Sequence, residues 1–439
     1  MSIEIITILM FFFFIFGLFL GIPLAFVLGA IGVIFTIFLW GLNGLYVVPS
    51  LTWQMMGSEV LIAVPLFILM GAILQRSGIA DDLYDVTHKW AGPVNGGLAV
   101  GTIIICALFA AMAGIAGAAT VSLGLIALPA MRKRGYSAGM SIGPIVAGGT
   151  LGILIPPSVP MIFYGLFARM SIGQLFLAGI FPGLLFAVLL CLYVLILGVK
   201  RPETCPALPP EERASFREKL SALPEVMPAI ILIIIVLGSI FTGIATPTES
   251  ASIGVVGSFV VAVLKRKLSS RLLIEATFQT VGITTMVMWV MMGAAVFAGV
   301  YQALGASELV NKIVQAGDMA VNRWFILAII LSVLFVVGMF LDASAIVILL
   351  VPTLVPLTTK LGFDPLWFSI VFIITLMVGY LSPPFGLSLF YIRGVAPVEV
   401  NTSSIYFAVL PYIAVFLIGL LLLIVFPDIV LWLPRTLMS

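Results

Sequence analysis

The sequence predicts an all-α polytopic membrane protein made of two related halves of inverted topology, each carrying a re-entrant hairpin and a broken helix. Three observations lead there. First, 62% of the 439 residues are hydrophobic and 9% are charged, a balance foreign to soluble globular domains. Second, two apolar stretches are interrupted near their centres: GGTLGILIPPSVPMIFYG (148–165) at Pro156-Pro157, and GYLSPPFGLSLFY (379–391) at Pro383-Pro384. Proline removes an amide donor and clashes with the preceding turn, so neither stretch runs through as one helix. Backbone groups freed at membrane depth persist only where protein encloses them. Third, the two stretches stand 227 positions apart, and the same offset joins Gly152 to Gly379, Tyr164 to Tyr391, Gly78 to Gly305, Pro129 to Pro356 and Gly135 to Gly362. A second offset, 222, joins Gly21-Ile22 to Gly243-Ile244 and Ile31-Gly32 to Ile253-Gly254. Constant displacement marks an internal repeat, and paired interrupted segments point to a binding site between the halves.

Taking apolar runs of about 20 residues as crossings, the first half (1–199) gives spans at 5–20, 22–40 and 59–74, then a polar connector at 75–95. The N-terminal run has no basic flank and no small-residue cleavage site, so a retained span is expected. Next comes 96–131, too long for one crossing and interrupted by Ala113-Gly114-Ile115-Ala116-Gly117-Ala118-Ala119-Thr120. It is either one long broken helix or two short helices entering and leaving on one side. A broken span at 139–167 and a last span at 174–199 complete the half.

Charge placement decides for the hairpin. The second half (226–439) then starts on the opposite side, with spans at 226–242, 248–264 and 276–301, a hairpin at 325–357, a broken span at 366–392 and a final span at 405–433. With the N-terminus outside, 15 of the 20 basic residues lie inside, including Arg132-Lys133-Arg134 and Lys265-Arg266-Lys267; Arg169, Lys312, Arg323, Lys360 and Arg435 lie outside. That is the positive-inside bias of membrane proteins. A single crossing at 96–131 would place Arg132-Lys133-Arg134 outside and spoil it. The prolines and mixed charge of 200–225 mark a cytoplasmic linker, with a short surface helix near 211–220.

Several chemistries are excluded. Net charge is +2 with no basic, aromatic-interleaved surface, so no nucleic-acid partner is expected. Cys106, Cys191 and Cys205 have neither metal nor redox spacing, and nothing resembles a phosphate-cradling loop. Asp81-Asp82-Leu83-Tyr84-Asp85 looks like the magnesium motif of intramembrane prenyltransferases. That chemistry needs a second acidic motif, and Glu308-Leu309-Val310-Asn311-Lys312 supplies none, so a solvated face on an interfacial helix is preferred. His88 has no ligating neighbour at metal spacing. No catalytic residue, no cofactor and no metal beyond sodium are expected.

The two hairpin tips, Gly114 to Thr120 and Gly338 to Ser344, carry the candidate chemistry. Reaching the midplane from opposite faces, they would meet the breaks at Pro156-Pro157 and Pro383-Pro384. Carbonyls at half-helix C-termini suit sodium, and N-terminal amides suit a carboxylate. Asp342 is the sharpest residue, because an acid inside a membrane segment is costly and usually lines a pathway; the alternative is a helix cap. Thr120, Ser122, Ser158, Ser344, Ser382 and Ser388 offer hydroxyl oxygens, or serve as packing between helices. In GIATPTES (243–250), Thr248 as cap or Pro247 in the first turn starts a helix, and Glu249 suits its positive end. A coupling role for Glu249 is the other reading.

GGTLGILIPPSVPMIFYG, LPAMRKRGY, GIATPTESASIG, GMFLDASA and GYLSPPFGLSLFY together resemble the large membrane subunit of tripartite ATP-independent periplasmic (TRAP) transporters, the DctM-like family. The resemblance covers nearly the whole chain. It implies an elevator-type secondary transporter of inverted repeats in the bacterial inner membrane. A sodium gradient would drive it, the cargo would be a small organic acid, and its partners would be a small four-helix membrane subunit and a periplasmic substrate-binding protein. With no extra four-helix segment, the small subunit is expected as a separate chain. By motif match, Ser158, Ser382, Ser388 and Asp342 would bind substrate. Gly114, Gly117, Thr120, Gly152, Pro156, Gly338, Ser344, Gly379 and Pro383 would bind sodium, largely through backbone. Thr248 and Glu249 would serve coupling or structure. Many relatives carry a serine-rich first tip; here it is Gly114-Ile115-Ala116-Gly117-Ala118-Ala119-Thr120, so the cargo does not follow from the family. The alternatives are a self-sufficient sodium/dicarboxylate symporter and the prenyltransferase-like enzyme.

Overall fold

Short polar side chains fix where helices begin. Ser137, Ser171, Ser269, Asp364 and Asn401 each precede a helix and accept an N–H from its first turn, satisfying donors that no carbonyl reaches. The computed structural model describes residues 3–114, 116–305, 319–397 and 400–437, and their regular structure is entirely helical. The first part comprises α1 (Ile3–Phe19), α2 (Leu24–Trp40), α3 (Val47–Met56), α4 (Val60–Arg76), α5 (Ile79–Ala91), α6 (Gly97–Ala113), α7 (Ala116–Lys133), α8 (Ala138–Thr150), α9 (Val159–Ala168) and α10 (Ile172–Lys200). The second comprises α11 (Phe216–Phe241), α12 (Pro247–Leu264), α13 (Ser270–Ala303), α14 (Met319–Phe340), α15 (Ala343–Lys360), α16 (Pro365–Leu381), α17 (Leu387–Val395), α18 (Thr402–Val425) and α19 (Asp428–Leu437). Among the described residues, seven helices are long and apolar enough to cross a membrane.

Both hairpins and both breaks are present: α6–α7 and α14–α15 are the hairpins, α8–α9 and α16–α17 the broken helices. Helix α10 serves as a ruler for their direction. Near its start the Phe181 ring lies 5.6 Å from that of Trp432 in α19. Arg435 of α19 pairs at 3.6 Å with Asp364, just beyond α15. Near its end Gly198 abuts Asn95, just before α6. The 17-residue step from Phe181 to Gly198 spans about 25 Å of helix. The hairpins therefore open at opposite ends. Around the Lys200 end, Lys265 pairs with Asp82 at 2.6 Å, Arg134 with Glu212 at 2.8 Å and Arg76 with Glu275 at 3.5 Å. Lys312 and the 308–312 segment lie outside the described residues, as does Ile115 at the first tip.

Several boundaries differ from expectation. Helix α3 was not expected; it meets α4 at 56°, its start marked only by Gly41 and Pro49. The connector 75–95 contains α5, whose Ile79, Ala80, Leu83 and Val86 face inward. Helix α11 begins at Phe216 rather than 226, because Ser215 and Glu218 form a capping box and the helix continues through Pro224 and Pro228. The last span stops at Val425, and Pro427 separates it from α19. Helix α13 packs closely on α2, where a Cβ on Gly293 would stand 2.3 Å from Ala25 O and one on Gly32 2.6 Å from Val296 Cγ1. Small residues of this kind allow helices to approach without a polar seam.

The joining segment is stitched across the open end of the first hairpin. Gly96 N donates to Cys205 O at 2.8 Å, Ser137 N to Thr204 O at 2.9 Å, Leu208 N to Gly92 O at 2.8 Å and Ala207 N to Asn95 Oδ1 at 3.0 Å. Beneath it, burial and then the Arg134 charge hold the His88 pKa below its ordinary 6.5, and His88 Nε2 is buried without a partner among the described residues. The fold thus favours the neutral ring. A depressed histidine contributes stability above its ordinary pKa and loses it as pH falls through the folded value. The thermal midpoint of the purified protein should fall more steeply from about pH 7 to about pH 5 than that of His88→Gln. Parallel slopes by intrinsic tryptophan fluorescence would remove His88 from this role.

Candidate functional site

The first break follows from local stereochemistry. Helix α8 ends at Thr150, a tight turn carries the chain to Ile153, and Pro156-Pro157 joins through a cis peptide before α9. Ser158 caps α9: its hydroxyl donates to Ile153 O at 2.7 Å and accepts from Met161 N at 3.5 Å. The second break repeats this. Helix α16 ends at Leu381, Pro383-Pro384 is again cis, and α17 restarts after Gly386. Ser382 Oγ donates to Val378 O at 2.7 Å, back into its own helix.

Each tip is fastened to a break. Gly114 ends α6 at φ 65°, and its carbonyl accepts from Val159 N at 3.1 Å. A Cβ at Gly114 would stand 2.6 Å from Pro157 O. At the other tip Asp342 caps α15: Oδ1 accepts from Ser344 N at 2.9 Å, and Oδ2 accepts from the Tyr380 hydroxyl at 3.0 Å. That hydroxyl in turn accepts from Ala343 N. Gly338 and Gly379 let α14 and α16 touch backbone to backbone, with a Cβ on Gly379 placed 2.8 Å from Gly338 C. Tip one also reaches the second broken helix, where a Cβ on Gly117 would meet the Tyr391 ring at 3.0 Å.

Between these elements lies a cavity of about 300 Å³. Its wall includes Gly117, Val159, Asp342, Ser344, Tyr380 and Tyr391, with Gln75 from α4 and Gln279 and Met286 from α13. Asp342 is the one charged side chain in that wall. A cavity of about 390 Å³ flanks the other side of the second tip and shares Asp342 and Ser344 with the first; α2 and Trp289 of α13 form its far wall. The arrangement offers one carboxylate, two phenols, two amides and several helix ends, which suits a small polar solute together with a cation.

Of the sequence candidates, Gly117, Asp342 and Ser344 line the cavity. Gly114, Pro156 and Ser158 stand just behind it through the tip-to-break contacts. Thr120 lies on α7 rather than in a turn; its hydroxyl is 3.4 Å from Ala116 O and packs against Gly149. Gly152 belongs to the turn after α8, and Gly338 and Gly379 pack helices together. Ser388 is buried with its hydroxyl unpartnered among the described residues, while Pro383 is part of the second break. Thr246, not Thr248, caps α12: Glu249 Oε2 accepts from Thr246 N at 2.8 Å, completing a capping box. Thr248 Oγ1 donates instead to Glu59 O at 3.3 Å. Sequence reasoning missed Tyr380, Tyr391, Gln75 and Gln279. Tyr391 carried a signal in its 227-position match to Tyr164; glutamines at the ends of spans carried none. Among the described residues no group of His, Cys, Asp and Glu forms a metal cluster.

Similarity to known proteins agrees with this architecture. Residues 10–429 match the family model "Tripartite ATP-independent periplasmic transporter, DctM component". The chain is 33% identical over 377 residues to the C4-dicarboxylate TRAP transporter large permease protein DctM of Pseudomonas aeruginosa, covering 85% of this chain and 86% of that protein. It is 32% identical to the sialic acid large permease SiaM of Vibrio cholerae and 31% to the ectoine large permease TeaC of Halomonas elongata, each over 95% of this chain and 96% of the relative. In fold it is similar to the YdaH transporter of Alcanivorax borkumensis, at a TM-score of 0.65, 18% identity and 89% of each chain. These relatives are permeases, so the prenyltransferase-like reading of Asp81, Asp82 and Asp85 falls away. The chain belongs to the DctM family, as the large permease subunit of a tripartite ATP-independent periplasmic transporter and a multi-pass membrane protein rather than an enzyme.

Proposed function

We propose that this subunit carries out sodium-coupled uptake of a small organic acid across the bacterial inner membrane. It does so with a small four-helix membrane subunit and a periplasmic binding protein that delivers the cargo. The single observation behind this is the charge of the hairpin-tip cavity: Asp342 and no lysine, arginine or histidine in the wall. A carboxylate about 5 Å from Asp342 meets a repulsion of about 3 kcal/mol at an effective dielectric of about 20. A cation held between them reverses the sign, so acid and sodium enter together. The N-terminus of α15, which begins at Ala343, favours the cargo's negative charge. Sodium lies beside Gly117 and Ser344, which line the cavity; Gly114, Thr120, Gly152, Pro156 and Pro383 stand behind that wall and shape it, and Gly338 and Gly379 pack helices together. Asp342 faces the cargo, while Ser158 and Ser382 brace the two breaks behind it and Ser388 stays buried on α17.

In this reading residues 1–199 and 226–439 are the inverted repeats, joined by the cytoplasmic linker 200–225. The hairpins and broken helices travel as one body against α1, α2, α4 and α11 to α13, and Thr248 and Glu249 brace the stationary part. The cavity reaches Gln75 and Gln279, beside Arg76, so it faces the cytoplasm.

Uptake into proteoliposomes containing both membrane subunits and loaded binding protein should fall more than about tenfold when potassium replaces sodium, equivalent to at least about 1.4 kcal/mol of coupling. Equal rates in the two salts would contradict sodium coupling. Uptake by this chain alone would instead support a self-sufficient symporter.

A further inference from the structure

A cavity of about 510 Å³ lies at the end of the molecule opposite the stitched linker. The α3–α4 elbow supplies Gln54 and Ser58 to its wall, α13 supplies Gln302, and α9 and α15 close the other side. Arg169 is the one charged side chain lining it, and no hydrogen bond or ion pair engages that side chain among the described residues. Its backbone is left-handed at φ 54°, a conformation shared among described non-glycine residues only by Arg266. Glycine would take that C-cap position without strain. Arg169 is exposed at the edge of this cavity, and Gln54, Ser58 and Gln302 share an otherwise apolar wall with it, a lining suited to a small acid with an apolar body and a charged end.

We propose that this cavity is a second carboxylate subsite, in which the Arg169 guanidinium receives an organic acid before it reaches the hairpin-tip cavity. The planar fork matches a carboxylate through two parallel hydrogen bonds. The amides of Gln54 and Gln302 and the hydroxyl of Ser58 are donors for the rest of a small acid, and the volume suits one. Scaffold helices form one wall and the hairpin body the other, so an acid held here stands beside the surface along which that body would move. This deepens the uptake reading and rests on it for the route, although binding itself needs no transport.

The test uses malonate as probe and phenylglyoxal as arginine reagent on the purified two-subunit membrane complex in detergent, with modification read by peptide mass spectrometry. Malonate should slow modification of Arg169 at least about threefold relative to chloride at equal ionic strength, leaving exposed Arg217 unchanged. Gln54→Ala with Gln302→Ala should raise the half-protecting malonate concentration about threefold. No protection at Arg169, or equal protection at Arg217, overturns the subsite. A second arm measures capture of cargo-free binding protein by proteoliposomes. Capture within about twofold of wild type in Arg169→Gln supports the proposal, and a loss of tenfold or more assigns Arg169 to docking the partner and overturns it. Neither readout depends on sodium, so failure here is distinguishable from failure of sodium-coupled uptake.

Discussion

Replacing Asp342 by asparagine should lower uptake about 10- to 100-fold while leaving the fold intact. Asparagine caps a helix about as well as aspartate, and its Oδ1 can still accept from Ser344 N, the contact that starts α15. The charge that receives the Tyr380 hydroxyl at 3.0 Å and faces the cavity is lost. Hydrogen bonds to a charged group contribute about 1.5–3 kcal/mol, the energy behind that range of rates. The measurement is initial uptake in proteoliposomes beside the thermal midpoint in detergent. A midpoint shift under about 4 °C with collapsed uptake assigns Asp342 to the transport chemistry. Uptake within twofold of wild type would leave it a cap and nothing more.

Gly114→Ala should damage the protein through its backbone. At φ 65° an alanine costs about 1–2 kcal/mol. Its Cβ would stand 2.6 Å from Pro157 O, and relieving that contact by backbone movement costs about 1–3 kcal/mol more. The contact joins tip one to the first break, so the same movement weakens the Val159 N to Gly114 O bond. A midpoint lowered by several degrees, with reduced yield of folded protein, is the outcome to look for in thermal unfolding. Gly282→Ala is the control, because a Cβ there has nothing within 4 Å. If both variants melt alike, the tip is looser than its geometry indicates.

The breaks and hairpins were legible because their causes are local. Pro156-Pro157 and Pro383-Pro384 stop helices wherever they stand, and Arg132-Lys133-Arg134 is intelligible only if α6 and α7 return to one side. Pro224 and Pro228 show the limit of that reasoning: α11 runs through both, since a lone proline in a membrane protein is tolerated where its surroundings satisfy the freed carbonyl. Thr248 as the cap or Pro247 in the first turn was expected; Pro247 is in the first turn, but the three-residue spacing to Glu249 closes the capping box from Thr246. The cavity wall was the least legible part. Gln75 and Gln279 lie far apart in sequence and enter the site only through the packing of α4 and α13 around the tips.

The bonding of each tip to its break also bears on how the site empties. Val159 N holds Gly114 O, and Gly338 lies against Gly379, so neither hairpin peels from its broken helix without tearing backbone contacts. On the side facing α13, Ile283, Met286 and Val287 are apolar and Gln279 is engaged by Arg76 of α4 rather than by a hairpin, so no such fastening to the tips is present there among the described residues. In the proposed uptake cycle each hairpin therefore shifts together with its own broken helix, and the seam against α13 is the surface along which the two bodies part.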